Sequence, residues 1–114
     1  MEVNCVIIEL KQDSLGRVEE WSRYIHSNKD EAISTLKNEG VTIETFFLAK
    51  IEDKDYLVAY MRAKSMEKAI EAVKESISEV DAYHQQFKRD TWVKGIQSRL
   101  MLDLSRITHE EQSA

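Results

Sequence analysis

"VTIETFFLAKIEDKDYLVAYMRA", residues 41–63, is the stretch that decides the fold. Its two ends are dense in β-branched and aromatic residues, and "EDKD" between them is a polar turn. The spacing predicts a hairpin, with one strand over Val41–Ile51 and another over Tyr56–Ala63. Side chains alternate across a strand, so Val41, Ile43 and Phe47 oppose Phe46 and Leu48. Tyr56, Val58 and Tyr60 likewise oppose Leu57, Ala59 and Met61. Both faces are apolar. A sheet with helices on one face and water on the other alternates to polar on its wet side. This hairpin does not, so both of its faces call for cover.

The sequence around the hairpin repeats the theme. "VNCVIIEL", Val3 to Leu10, reads as a first strand with Val3, Cys5 and Ile7 on one side and Val6, Ile8 and Leu10 on the other. Asp13 or Ser14 is placed to cap a helix whose apolar arc holds Leu15, Val18, Ile25, Ala32, Ile33 and Leu36. "HSNKDE" offers Ser27 or Asn28 as a break in that helix. Gly40 stands where a left-handed residue ends one. After the hairpin, Ser65 caps a helix carrying Met66, Ala69, Ile70, Val73 and Ile77. "SEVD", Ser78 to Asp81, is a capping box that opens a further helix through about Lys94, with Gly95 ending it. "RLMLDLSRI", Arg99 to Ile107, reads as the last strand. The order is strand, helix, strand, strand, helix pair, strand: an α+β, ferredoxin-like βαββαβ domain over residues 1–106, with one four-stranded antiparallel sheet and an extra helix before the last strand. Residues 107–114 are expected as a polar, disordered tail. The simplest cover for the second sheet face is another copy of the same sheet, so a homodimer is expected.

Composition excludes several functions. A net charge of −5 argues against nucleic acid, whose phosphates need clustered Lys and Arg. No apolar run approaches the ~20 residues a membrane helix needs, and no signal peptide opens the chain. Cys5 is the one cysteine, so no disulfide forms within the chain, and a cytoplasmic protein is expected. Three glycines leave no phosphate-cradling loop. His26, His84 and His109 lack metal-ligand spacing, so neither a metal nor another cofactor is expected.

"LKNEGVTIETFFL", "DYLVAYMRA" and "DAYHQQFKRDTW" together resemble an uncharacterised bacterial family of the dimeric α/β-barrel superfamily, over about residues 2–106. In that superfamily two ferredoxin-like sheets pack face to face. The layout of "EEW…DEAISTLKNEGV" is similar to that of its sugar mutarotase and small monooxygenase branches, which do cofactor-free or haem-assisted chemistry between sheet and helices. The resemblance implies a fold and a pocket. It carries no catalytic motif across, and His26 does not stand in a matching context.

The residues that can carry chemistry cluster in "DAYHQQFKRDTW", 81–92. On one continuous helix, Asp81, His84, Lys88 and Trp92 share an arc beside the apolar stripe Val80, Tyr83 and Phe87. His84 is a candidate for proton transfer near neutral pH. Lys88 is a candidate to hold an anionic ligand group, Trp92 an apolar wall, and Asp81 a tuning carboxylate. An ordinary reading stands beside this: Asp81 finishes a capping box, Lys88 lies on Trp92, and His84 is a boundary residue. From the strands, Glu44 shares a face with Phe46 and Leu48, and Asp103 stands between Leu102 and Leu104. A buried carboxylate needs a partner such as Arg62 or Arg99, or becomes an acid or base of raised pKa. Tyr60 and Trp21 complete the candidate ligand-binding set, each equally explained as packing. Two functions remain open: a small-molecule-binding protein or cofactor-independent enzyme of mutarotase-like or monooxygenase-like type, and a non-catalytic homodimeric structural or regulatory module.

Overall fold

The computed structural model describes residues 1–106; the tail expected over 107–114 lies outside the described residues. The elements are β1 (Glu2–Leu10), α1 (Leu15–Ser27), α2 (Lys29–Glu39), β2 (Val41–Ile51), β3 (Lys54–Ala63), α3 (Met66–Glu75), α4 (Glu79–Thr91) and β4 (Trp92–Gln97). The sheet order is β2-β3-β1-β4, with every pairing antiparallel. This is the expected ferredoxin-like arrangement with an extra helix before the last strand.

Local chemistry accounts for the boundaries. The β2–β3 turn tightens to Glu52 and Asp53, with φ of 49° and 66°, the positive values a two-residue hairpin loop demands. Gly40 ends α2 in the left-handed conformation, φ 72°. Asn28 separates α1 from α2, as the sequence suggested. Ser14, not Asp13, is the cap residue of α1, although its side chain makes no cap hydrogen bond. The Ser78 hydroxyl accepts from the Asp81 N–H at the start of α4. The reciprocal half of that capping box is diverted, since the Asp81 carboxylate accepts from the Ser76 hydroxyl. Glu31 of α2 accepts instead from the Ser78 hydroxyl at 3.1 Å and the Val80 N–H at 3.4 Å.

The last third of the chain departs from the expectation. The final strand is Trp92–Gln97, not Arg99–Ile107, and α4 stops at Thr91 rather than Lys94. Thr91 turns its hydroxyl back onto the Phe87 carbonyl at 2.8 Å, while its own carbonyl accepts the Lys11 N–H at 2.7 Å. The next residues pair with β1, Ile7 opposite Ile96 and Ile8 opposite Gly95. Gly95 therefore lies within a strand and is no helix cap. A Cβ there would meet Val6 Cγ1 at 3.0 Å, so the residue is small for packing reasons. Residues 98–106 follow without regular structure, and Asp103, expected within a strand, forms an ion pair with Arg62.

The four helices of the described residues cover one face of the sheet. There Ile8, Leu10, Val18, Trp21, Leu57 and Phe87 form the larger core cluster, joined by Val6, Ile25, Phe46, Tyr83 and Trp92. A second cluster holds Val41, Ala63 and Ala69 with Leu36, Met61 and Met66. The α1–α4 contact is fixed by Arg17, which donates to the Tyr83 hydroxyl at 2.8 Å and lies over the Tyr83 and Phe87 rings. Tyr24 stacks on Tyr83 at 3.7 Å between centroids. The opposite face carries Cys5, Ile7, Val58 and Tyr60, as the register requires. Among the described residues no helix covers it, and Phe47 and Ile96 are 60% and 47% exposed.

Candidate functional site

Between the two core clusters a cavity of about 670 Å³ opens toward solvent. Its floor is the sheet, through Glu44, Phe46 and Met61, and each of the four helices contributes to its walls. The lining is mostly apolar, from residues such as Ile25, Leu36, Val73 and Val80. One wall is polar: Glu39 at the end of α2, Glu44 on β2, and Asp81, His84 and Lys88 on α4. Periodicity explains the wall. On α4, positions 81, 84 and 88 share a side, and on β2, Glu44 alternates in phase with Phe46 toward the helices.

His84 is held by an aromatic cage. Trp21 stacks on Phe87 at 4.5 Å and meets Phe46 edge-on at 5.0 Å, while His84 stacks on Trp21 at 5.8 Å. The Trp21 indole N–H donates to His84 Nδ1 at 3.0 Å. An imidazole accepting at Nδ1 and uncharged carries its proton on Nε2. Burial, helped by the nearby Lys88 charge, lowers its pKa to about 3. At pH 7 His84 is thus a neutral hydrogen-bond donor, not the titrating group expected of a free histidine. Its Nε2 has no partner among the described residues.

The carboxylates are displaced in the opposite direction. Burial raises the pKa of Glu44, opposed by Lys88 and reinforced by Asp81. Burial also raises Glu39 to about 7, and the charges of Asp81 and Glu44 add to it. Burial lowers Lys88, while Glu44, Glu39 and Asp81 oppose that shift. Among the described residues Glu44 and Glu39 have no hydrogen-bond or ion-pair partner. The Lys88 ammonium likewise makes no hydrogen bond or ion pair among the described residues, and its Nζ lies 4.8 Å from the centroid of the Trp92 ring. Such groups can bind and polarise a ligand and exchange protons with it. No group of three His, Cys, Asp or Glu able to hold a metal exists among the described residues.

Of the residues singled out in the sequence, Asp81, His84, Glu44, Lys88 and Trp21 meet at the cavity. Trp92 does not line it. It belongs to β4, packs on the larger cluster and supports Lys88 from behind, with its buried indole N–H unpartnered among the described residues. Tyr60 lies on the uncovered face, where its hydroxyl accepts from Arg62. Glu39 was missed. One signal for it was present: an acid in the last turn of a helix faces the negative end of the helix dipole.

Fold and site together define a ferredoxin-like α+β domain with a semi-enclosed, largely apolar cavity bearing a wall of ionisable residues. The chain belongs to a family of unknown function, DUF6176, whose model matches residues 1–112. No curated protein matches it. Among solved structures it is similar to "Putative antibiotic biosynthesis monooxygenase from Nitrosomonas europaea", at 15% identity and a TM-score of 0.56, over 90% of this chain and 100% of that one. At that identity the likeness concerns the fold. Among the described residues no helix is long and apolar enough to cross a membrane.

Proposed function

We propose that the protein binds an amphipathic carbonyl compound in this cavity and transfers a proton on it without a cofactor. The observation that carries the reading is His84, neutral, fixed through Nδ1 by Trp21, with its Nε2–H free at the cavity and an unpaired Glu44 on the adjoining strand. The Glu44 carboxylate takes a proton from the carbon beside the carbonyl. The electron pair moves to the carbonyl oxygen, and the His84 Nε2–H holds the resulting enolate oxygen. A neutral imidazole suits this role because it donates without surrendering its own proton. Return of the proton to a different atom makes the reaction an isomerisation. A monooxygenase-type reading shares the first step, since an enolate is also a species that dioxygen can oxidise; the likeness to a protein of that title supports it.

The test uses phenylacetone in D2O, with loss of its benzylic proton signal followed by NMR. The wild-type protein accelerates exchange over buffer. Glu44→Gln slows it by about a hundredfold, within the usual range for a positioned base. Equal exchange by wild type and buffer, with no binding of phenylacetone, overturns the reading.

The assembly proposed is a homodimer through the uncovered sheet face. Cys5, Ile7, Phe47, Val58 and Ile96 form an apolar surface there. Leu100, Leu102 and Leu104 on the neighbouring segment are 57%, 74% and 83% exposed. Apolar area of this kind supports an interface between copies.

A further inference from the structure

We propose that the cavity selects a cationic ligand: a protonated amine on an apolar skeleton, with the ammonium seated among Glu39, Glu44 and Asp81. The inference rests on the reading of the cavity as a small-molecule site and names the charge that site prefers. Two observations carry it. The cavity joins a wide apolar body, between Ile25, Leu36, Met61 and Val73, to a half-buried wall that gathers Glu39, Glu44, Asp81 and Lys88. On that wall three carboxylates, Glu39, Glu44 and Asp81, face one ammonium, Lys88, which feels the charge of each. His84 adds no positive charge, because Trp21 and its enclosure keep it neutral. Lys29, Lys74 and His26 also border the cavity, but all three are exposed at its rim, where water and salt screen any charge they carry. Lys88 already lies over the Trp92 ring, so its charge is partly accommodated away from the carboxylates. A second cation therefore relieves the excess of carboxylates over ammonium, and an anionic ligand would add negative charge to a half-desolvated wall where crowding and burial already raise Glu39 and Glu44.

Three probes with one aromatic skeleton separate the possibilities: 2-phenylethylamine, 2-phenylethanol and 3-phenylpropanoate. Their affinities are measured by calorimetry at pH 8, where Glu39 is ionised. The amine binds at least tenfold more tightly than the alcohol, and the carboxylate most weakly. Glu44→Gln weakens the amine about tenfold without changing the alcohol, and Lys88→Met tightens it. Equal affinity for amine and alcohol, or tightest binding of the carboxylate, overturns the charge preference. Phenylacetone is titrated in parallel. If it binds while the amine shows no advantage, the cavity reading stands and the cationic preference falls. If none of the four compounds binds, both fall.

Discussion

At the scale of single residues, His84 and Glu39 make opposite demands on pH. The native state holds His84 neutral down to about pH 3, whereas the unfolded chain protonates it near its ordinary 6.5. Between these values the unfolded state binds more protons. His84 thus contributes stability that is complete above pH 6.5 and is lost as pH falls toward 3, at up to about 1.4 kcal/mol per pH unit. Glu39 runs the other way. Its pKa is raised from 4.5 to about 7, so its contribution is complete below pH 4.5 and is lost as pH rises through 7. Urea unfolding from pH 4 to 8 separates the two. The stability of Glu39→Gln relative to wild type rises with pH between 4.5 and 7, and that of His84→Phe falls with pH between 4 and 6.5. Parallel profiles for all three proteins would contradict the protonation states assigned here.

At the scale of elements, the α1–α4 contact depends on Arg17. Its guanidinium joins Tyr83, Glu20 and Asp90 and lies over two rings. Arg17→Ala is expected to cost about 1–2 kcal/mol in urea unfolding, mostly through lost packing, whereas the exposed Arg23→Ala changes little. Gly95→Val places side-chain atoms against Val6 and costs about 1–3 kcal/mol. The second variant bears on what was legible. The hairpin, β1, the Asn28 break and the Gly40 cap could be read directly, because β-branched runs, a polar turn and a glycine each have one strong local meaning. The end of α4 could not. "DTWVKGIQ" keeps helical spacing while supplying strand residues, and Gly95 looks like a cap. What ends the helix is the Lys11 N–H taking the Thr91 carbonyl, a contact 80 residues distant in the chain. Helical spacing puts Trp92 on the arc of His84 and Lys88, whereas its place at the start of β4 turns it onto the larger core cluster. His84 and Lys88, one turn apart within the true helix, were read correctly onto one side. Tyr60 could not be assigned to a face without knowing which side the helices cover.

At the scale of the whole molecule, the two-faced strands were the legible feature and the helices account for one face only. The other makes its own prediction. Val58 lies on the uncovered face and Leu57, 2% exposed, in the core. Wild type is expected to sediment as a dimer and Val58→Glu as a folded monomer of 13.3 kDa. Leu57→Glu is expected to unfold the domain. A monomeric wild type at micromolar concentration would refute the dimer and leave the cavity, on the opposite face, untouched. The ¹⁵N resonances of the His84 ring report on the cavity itself. The ring is expected to be neutral and protonated at Nε2 from pH 8 down to at least pH 5, with the Nε2 signal moving when phenylacetone is added. A ring that titrates near 6.5 and ignores the compound would contradict the proposed site.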